Sequence, residues 1–315
     1  MNLIDLLKLI RYKNLIIIAL TMYAIRFGII YPFLHSIAYD LQLDELHFFL
    51  LVLATVLIAA AGYAINDYFD IKSDMQNHPE SVIVGTKIPR RIALTINNLF
   101  NFIGVVIGFY VSYHINLTKM GLVFLFIAAN LWFYSVYFKK KLLIGNIIVA
   151  LFSAIVPLLP VLYEIPLLNN IITPGRPPVE FKAVSIIFLY ALGYSFYAFI
   201  FTLMREIIKD IEDMKGDAEL QRNTLPIYWG VYKSKIVIYV LSAIVIFSLF
   251  LIYFFHFQDI SSFIYITFAI IFPLIYSLYK LYKAKEKKDY YKISQQFKFI
   301  MFMGLGFVVI LWLTL

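Results

Sequence analysis

The sequence predicts an all-α membrane protein, a bundle of about nine transmembrane helices around a central cavity that opens to the cytoplasmic side. Of the 315 residues, 62% are hydrophobic and 15% are charged, whereas soluble domains have roughly 45–50% apolar and about 25% charged residues. The charges are also segregated, because segments such as 236–256 contain no Asp, Glu, Lys or Arg. Two matching acidic runs, 66–74 and 210–217, predict the cavity. A soluble globular protein is excluded.

Nine apolar runs each have close to the ~20 residues that a helix needs to cross a hydrocarbon core. In chain order they are 15–34, 46–65, 92–113, 119–138, 142–163, 183–204, 236–256, 261–282 and 297–315. We interpret residues 1–315 as one integral domain. The first run is long enough to span and no small-residue cleavage site follows it, so a removable signal peptide is not expected. The proline-rich segment 172–179 is expected to form an outward loop, because proline stops a helix from continuing.

The Lys and Arg residues predict the orientation, because they concentrate in alternate segments between the runs. Of the 27, 23 fall on one side, three on the other, and Arg26 lies inside the first run. By the positive-inside rule the amino terminus is cytoplasmic and the carboxyl terminus faces outward. Arg26 is expected to snorkel to the outer interface. The net charge of +8 then indicates contact with an anionic lipid bilayer and not with nucleic acid, and no obligate protein partner is implied.

Cysteine and histidine are not expected to bind metals or act in catalysis in this sequence. The chain has no cysteine, which excludes disulfides, thiolate metal ligands and cysteine nucleophiles. Four of the five histidines are expected on the outward side, where we interpret them as too dispersed to bind a metal, and only His78 is near an acidic run. Histidine catalysis is not expected. The four outward residues are His35, His47, His114 and His256.

The acidic runs predict a metal site. Each has three aspartates at spacing i, i+3 and i+7, which places them on one helix face if the helix continues past the apolar run. The aspartates are Asp67, Asp70 and Asp74 in the first run and Asp210, Asp213 and Asp217 in the second. Like charges at this spacing destabilise a helix unless a cation neutralises them. Oxygen ligands without His or Cys suit Mg²⁺, which binds through carboxylates and substrate phosphates.

These aspartates therefore predict Mg²⁺ and a diphosphate substrate. The alternative is that each run is only a solvated helix end. Four helices connect the two runs, which suggests a pseudo-repeat that places them face to face across the cavity.

The runs have the patterns NDxxDxxxD and DxxDxxxD, which resemble those of the UbiA superfamily of intramembrane prenyltransferases over essentially the whole chain. Further similarities are Tyr134-Ser135 with Lys139-Lys140, Gly145-Asn146 and Thr224-Leu225-Pro226. Residues 205–217 are most similar to digeranylgeranylglyceryl phosphate synthase-type members. The chain departs from the family pattern at His78-Pro79 and Val84-Gly85, where the family usually has Arg-Pro and Ser-Gly.

The resemblance implies Mg²⁺-dependent transfer of a prenyl group from a prenyl diphosphate to a lipophilic acceptor, with a geranylgeranylglyceryl phosphate-like lipid as the best candidate. Its implied metal ligands are the six aspartates, and Asn66 would orient a ligand or the diphosphate. The implied substrate-binding residues are Lys139, Lys140, Arg205, Tyr134, Tyr68 and Lys87. For the two tyrosines packing is an equal alternative, and the lysines 139–141 also suit a topology anchor. Lys87 is included because it can replace the charge of the missing arginine. The alternative is that its loop is only a solvated connector and that Lys87 contacts anionic lipid.

Three other functions remain open. The first is prenyl transfer to an aromatic quinone precursor. The second is hydrolysis of prenyl diphosphates, with water as the acceptor. The third is transport of a cation, for which acidic residues are expected near the bilayer midplane and not at helix ends.

Overall fold

The computed structural model describes residues 2–169 and 181–314. Every element in these ranges is helical, apart from an isolated β-bridge between Val84 and Ile88. A short helix, α1 (Leu3–Leu9), precedes nine helices that are long and apolar enough to cross a membrane. They are α2 (Tyr12–Ser36), α3 (Glu45–Asn77), α4 (Arg90–His114), α5 (Thr118–Val136), α6 (Ile144–Asn169), α7 (Phe181–Glu219), α8 (Leu225–Phe257), α9 (Ile260–Lys283) and α10 (Lys287–Thr314). The predicted all-α fold with nine spans is confirmed, and the loop expected at 172–179 lies outside the described residues.

The chain forms two compact units. Unit 1 comprises Met1–Lys139 with Val156–Leu192, and unit 2 comprises Lys140–Ile155 with Gly193–Leu315. Helices α1 to α5 belong to unit 1 and α8 to α10 to unit 2, while α6 and α7 contribute residues to both. The acidic run 66–74 is therefore part of unit 1, and the run 210–217 is part of unit 2.

Several helices are longer than the apolar runs that predict them. Helix α3 continues to Asn77, past the end of its run at 65, and α7 continues to Glu219, past 204. Helix α8 begins at Leu225 and α10 at Lys287, before the predicted starts at 236 and 297. An apolar run ends where charged residues begin. The i→i−4 backbone hydrogen bonds of a helix can continue through charged residues. Both acidic runs consequently lie on the polar extensions of membrane helices.

In unit 1, glycines of α4 allow close approach of its neighbours. A Cβ atom at Gly104 would lie 2.8 Å from the Ile58 side chain of α3, and one at Gly108 would lie 2.4 Å from the Phe124 ring of α5. Between membrane helices the hydrophobic effect contributes little, so packing of this kind drives their association. The glycines thus determine how closely α4 contacts α3 and α5.

Helices α3 and α4 form an antiparallel hairpin. The Asn97 side chain of α4 donates a hydrogen bond of 3.0 Å to the Ala61 carbonyl of α3, in a buried position. At the end where α3 begins and α4 ends, the rings of His47 and His114 stack with their centroids 3.4 Å apart. The interpretation that the outward histidines are dispersed is wrong for this pair, because the hairpin joins residues that are far apart in sequence.

The arginine inside the first run is buried and paired. Arg26 is 1% exposed, and its Nη2 atom is 2.9 Å from Glu45 Oε1. Its Nη1 atom is 3.6 Å from Oε2 of Glu164, which is also 1% exposed. The guanidinium group stacks over the Phe48 ring at 4.3 Å. Arg26 does not extend into water as expected for a snorkelling side chain, because it is buried between the Glu164 carboxylate of α6 and the Glu45 carboxylate of α3, of which only Glu45 is exposed.

The loop between α3 and α4 is anchored to the protein. Val84 and Ile88 are almost fully buried, in a cluster that includes Leu9 of α1 and Ala93 of α4. Gly85 turns the chain with a φ of +87°, a conformation that glycine adopts without steric cost. The loop is therefore packed against α1 and α4 through its own buried residues, and it is more than a solvated connector.

Within unit 2, side-chain hydrogen bonds connect neighbouring helices. The Tyr197 hydroxyl of α7 is 3.1 Å from Ser248 Oγ of α8, and the Tyr265 hydroxyl of α9 donates to the Met303 carbonyl of α10 at 2.8 Å. Helix α8 is broken at Gly230, whose φ of 82° is in the left-handed region. The first turn of α8 is thereby set off from the part that crosses the membrane.

Candidate active site

The first acidic run lies on the last turns of α3, so its aspartates share a helix face as predicted. Asp70 is 2% exposed, and its carboxylate is paired with the Lys139 ammonium group. The same Nζ atom donates a hydrogen bond of 3.1 Å to Asn66 Oδ1. Lys139 follows α5, so the contact joins the end of α3 to the end of α5. A buried carboxylate is stable only with such a partner.

Arg11 supplies the cation beside Asp67. It lies between α1 and α2, and its Nη2 atom is 2.9 Å from Asp67 Oδ1. Its guanidinium group also stacks over the Tyr63 ring at 5.0 Å. Burial lowers the pKa of Arg11, but the charge of Asp67, the charges of Tyr63 and Asp74 and the hydrogen bond to Asp67 together outweigh burial and raise that pKa. Asp67 thus has a fixed positive partner that the sequence did not indicate.

The second acidic run lies on the last turns of α7, and each of its aspartates has a partner within unit 2. Asn146 of α6 donates a hydrogen bond of 2.8 Å to Asp210. Lys287, the first residue of α10, is 3.4 Å from Asp213. The remaining aspartate, Asp217, is 4% exposed and accepts from Arg222 at 3.1 Å.

Arg205 has a donor available for an anion. Its Nη1 atom donates to Glu206 Oε1 at 3.2 Å, and Lys209 donates to the same oxygen at 2.8 Å. The Nε atom of Arg205 is buried and has no hydrogen-bond partner among the described residues. A guanidinium edge with a free N–H group suits a phosphate oxygen.

The other predicted substrate-binding residues have varied surroundings. Lys140 lines a cavity of about 370 Å³ in unit 2, together with Asn223 and Tyr228. Tyr68 is half-buried, with the Arg90 guanidinium group 5.6 Å from its ring centre.

Tyr134 is half-buried near the end of α5. Lys87 is exposed, and its ammonium group is 4.0 Å from Asp5 of α1. The substrate-binding roles of all these residues stay predictions.

Sequence reasoning missed most of the partners of the aspartates. Arg11, Arg222 and Lys287 gave no motif signal, because Lys and Arg are numerous in the segments between the apolar runs. Asn146 was the exception, since it belongs to the Gly145-Asn146 pair, and that pair could have identified it.

The donor atoms of the two runs fit Mg²⁺. Neither run contains His or Cys, and their side chains offer carboxylate oxygens with an amide oxygen from Asn66. In the contacts above, four of the six carboxylates pair with a lysine or arginine, and a fifth accepts a hydrogen bond from an amide. These helix ends therefore require positive charge, which a divalent cation supplies in concentrated form.

Comparison with known proteins agrees with this chemistry. Residues 29–306 match the UbiA prenyltransferase family. The chain is 29% identical over 272 residues to the digeranylgeranylglyceryl phosphate synthase of Methanosphaera stadtmanae, which covers 86% of this chain and 87% of that protein. It is 35% identical over 213 residues to the synthase of the same name from Sulfolobus acidocaldarius, which covers 68% of each.

Two solved structures have the same fold. One, from work on digeranylgeranylglyceryl phosphate synthase in membranes, has a TM-score of 0.64 at 26% identity and covers 99% of both chains. The other is a UbiA homologue from Archaeoglobus fulgidus bound to DMAPP and Mg²⁺, with a TM-score of 0.55 at 18% identity over 97% of this chain and 99% of that one. With nearly all of its helices inside the family match, this chain belongs to the UbiA prenyltransferase family.

Proposed function

We propose that this chain transfers a prenyl group from a prenyl diphosphate to a lipophilic acceptor in the membrane, with Mg²⁺ as cofactor. A geranylgeranylglyceryl phosphate-like lipid is the acceptor that the proposal favours. The observation that carries it is the pair of aspartate runs, each on the polar end of a membrane helix and each held by cationic or amide side chains. The synthases from Methanosphaera stadtmanae and Sulfolobus acidocaldarius support the choice of acceptor through their names.

In the proposed reaction the six aspartates would hold Mg²⁺, and Asn66 would orient a ligand or the diphosphate. Bound Mg²⁺ supplies Lewis-acid stabilisation of the negative charge on the leaving diphosphate. Arg11 and Lys139, which pair with Asp67 and Asp70, would offer their cationic groups to diphosphate oxygens. Arg205 offers its unpartnered Nε–H group in the same way. The cations would thus serve both aspartate and substrate.

The proposed prenyl transfer needs no reactant other than the prenyl diphosphate and the acceptor. The allylic C–O bond of the donor breaks, and the diphosphate leaves with the bonding electron pair. The acceptor hydroxyl oxygen then forms the new C–O bond and releases its proton. Water must stay away from the cationic allylic carbon in the interval, and the apolar surroundings of membrane helices favour this. Tyr68 and Tyr134 are the proposed aromatic neighbours of the reacting groups.

We also propose that the active site opens to the cytoplasm, with the amino terminus on that side and the carboxyl terminus outward. The distribution of Lys and Arg supports it, because 23 of the 27 fall in one set of alternate segments between the apolar runs, and both acidic runs belong to that set.

The test is an assay with purified protein in lipid nanodiscs. The protein is incubated with labelled geranylgeranyl diphosphate, geranylgeranylglyceryl phosphate and Mg²⁺, and the products are identified by mass spectrometry. The proposal expects a prenylated acceptor that disappears when EDTA removes the metal. Free prenyl alcohol as the sole product would show a phosphatase. Product with an aromatic quinone precursor alone would retain prenyl transfer and overturn the choice of acceptor.

A further inference from the structure

Asp44, His47 and His114 form a cluster at the end of the α3–α4 hairpin, far from the acidic runs. Asp44 is the residue before the first turn of α3, His47 lies in that turn, and His114 is the last residue of α4. Along α3, Asp44 is 23 residues before Asp67, which corresponds to about 35 Å at ~1.5 Å per residue. The cluster is thus remote from the aspartates that are proposed to hold Mg²⁺.

The three side chains lie close together around the Asp44 carboxylate. Asp44 Oδ1 accepts a hydrogen bond of 3.0 Å from the His47 backbone N–H, which caps α3. The other carboxylate oxygen, Oδ2, is 2.6 Å from His47 Nδ1 and 3.4 Å from His114 Nε2. One ligand atom from each residue lies within 4.8 Å of the other two. The Tyr110 ring stacks on His47 at 5.5 Å and restricts its movement.

A second, independent observation points to a ligand. His47 is 9% exposed, and its Nε2 atom is buried with no hydrogen-bond partner in the described part of the chain. Buried polar atoms are nearly always satisfied by a protein group, a water or an ion. The His114 side chain is 42% exposed, so its ring can turn out of the stack and direct its nitrogen at an ion beside Asp44. A metal ion bound to the cluster would use the nitrogen of His47 that has no hydrogen-bond partner.

We propose that Asp44, His47 and His114 bind a divalent transition metal of the Zn²⁺ class. Imidazole nitrogens with a carboxylate select Zn²⁺ or Cu²⁺, whereas Mg²⁺ prefers oxygen ligands alone. Three protein ligands leave a position for water, as in open zinc sites. Such an ion joins the beginning of α3 to the end of α4, so it stabilises the hairpin at the end opposite the catalytic residues. The site is additional to prenyl transfer and does not depend on it.

Metal binding is measured on the untagged full-length chain in nanodiscs, after chelator treatment and in excess Mg²⁺ to occupy carboxylate sites. Zn²⁺ is titrated by calorimetry, and Cu²⁺ is added for electron paramagnetic resonance. We expect one Zn²⁺ per chain and nitrogen coupling in the Cu²⁺ spectrum. His114→Ala and His47→Ala should each weaken Zn²⁺ binding at least about 100-fold, because even residues outside the ligand shell change metal affinity about 10–100-fold. The matched controls His35→Ala and His256→Ala should bind like the wild type.

The outcomes separate the proposal from its alternatives. Absence of Zn²⁺ binding by the wild type, or wild-type binding by His114→Ala, overturns it. Equal loss in the two control variants also overturns it. If His47→Ala fails to fold, His114→Ala carries the test, since its side chain is 42% exposed. Zn²⁺ should raise the melting temperature of the wild type and not that of His114→Ala. Failure of the prenyl transfer assay leaves this result unaffected, because binding is measured without substrate.

Discussion

At the residue scale, the aspartates of both runs have partners before any metal binds. Lys139 holds Asp70, Arg11 holds Asp67, and Asn146 holds Asp210. Pre-formed ion pairs keep acidic side chains ordered on one helix face in spite of their mutual repulsion. They also keep cations next to the place where a diphosphate is proposed to bind. Under the proposed function, the same residues serve folding and substrate binding.

The first prediction concerns the metal ligands. Asp67→Ala and Asp210→Ala should each reduce turnover about 10²- to 10³-fold, because several kcal/mol of metal stabilisation are lost and each tenfold in rate equals about 1.36 kcal/mol. The steady-state rate of prenyl transfer in nanodiscs measures this. Asp40→Ala is the control, since Asp40 is exposed and lies before α3. Near-wild-type rates in both variants would end the two-run model.

The second prediction concerns Arg11. Arg11→Gln should raise the donor KM about tenfold, because a hydrogen bond to a charged group contributes about 1.5–3 kcal/mol. Lys13→Gln is the matched control, two residues away and exposed. KM and the Mg²⁺ concentration for half-maximal activity are measured together. An unchanged donor KM with a lower Mg²⁺ requirement would show that Arg11 only competes with the metal for Asp67.

The predictable part of the site is the part that local spacing encodes. Aspartates at i, i+3 and i+7 identify a helix face, and the structure shows both helices continuing through them. Four of their five partners come from other parts of the chain, namely α6, α10, the α1–α2 junction and the residue Lys139 after α5, so no pattern within the runs reveals them. The same reason explains the error over His47 and His114, which are separated by most of two helices and meet only through the hairpin.

At the element scale, helix packing in unit 1 depends on glycine. Gly108→Ala should destabilise the protein by about 1–3 kcal/mol, because the new methyl group overlaps the Phe124 ring and overpacking has this typical effect. Gly193→Ala, in α7, is the control, since nothing lies within 4 Å of its added Cβ. Unfolding in mixed micelles measures the free energy difference. Equal stability of the two variants would contradict the packing argument.

The buried arginine of α2 makes a second prediction at this scale. Arg26→Met should destabilise the protein by about 3–5 kcal/mol, because it leaves the buried Glu164 carboxylate without its cation. The double variant Arg26→Met/Glu164→Gln should recover much of this loss in the same micelle titration. Lys119→Met, an exposed basic residue, is the control. A single variant as stable as wild type would show that the ion pair contributes nothing.

At the scale of the whole molecule, the absence of cysteine makes topology directly testable. Lys288→Cys places a single thiol at an exposed position in the first turn of α10, and Gln258→Cys places one at an exposed position of the α8–α9 connection. In intact cells an impermeant maleimide should label Gln258→Cys and leave Lys288→Cys unlabelled until the cells are permeabilised. The unmodified chain is a complete background control, since it has no thiol. Labelling of both positions from outside would contradict the proposed orientation.

The number of spans could be predicted because crossing a membrane requires apolar length, and that length is visible in any stretch of sequence. The ends of the helices could not be predicted, because charged residues such as those of 66–74 end the apolar run while the helix continues. The burial of Arg26 could not be predicted either, because its two carboxylate partners come from α3 and α6.

The length of α3 has a consequence for the enzyme in its membrane. Its 33 residues extend for about 50 Å at ~1.5 Å per residue, against a hydrocarbon core of about 30 Å. Its apolar residues end near residue 65, so the polar excess lies at the carboxyl end of the helix and carries Asp67, Asp70 and Asp74 with it. The depth of these aspartates is then governed by hydrophobic mismatch. Lipids with longer acyl chains draw them towards the hydrocarbon and shorter ones lift them into water, so the thickness of the host bilayer sets the ease with which a water-soluble diphosphate head group reaches them.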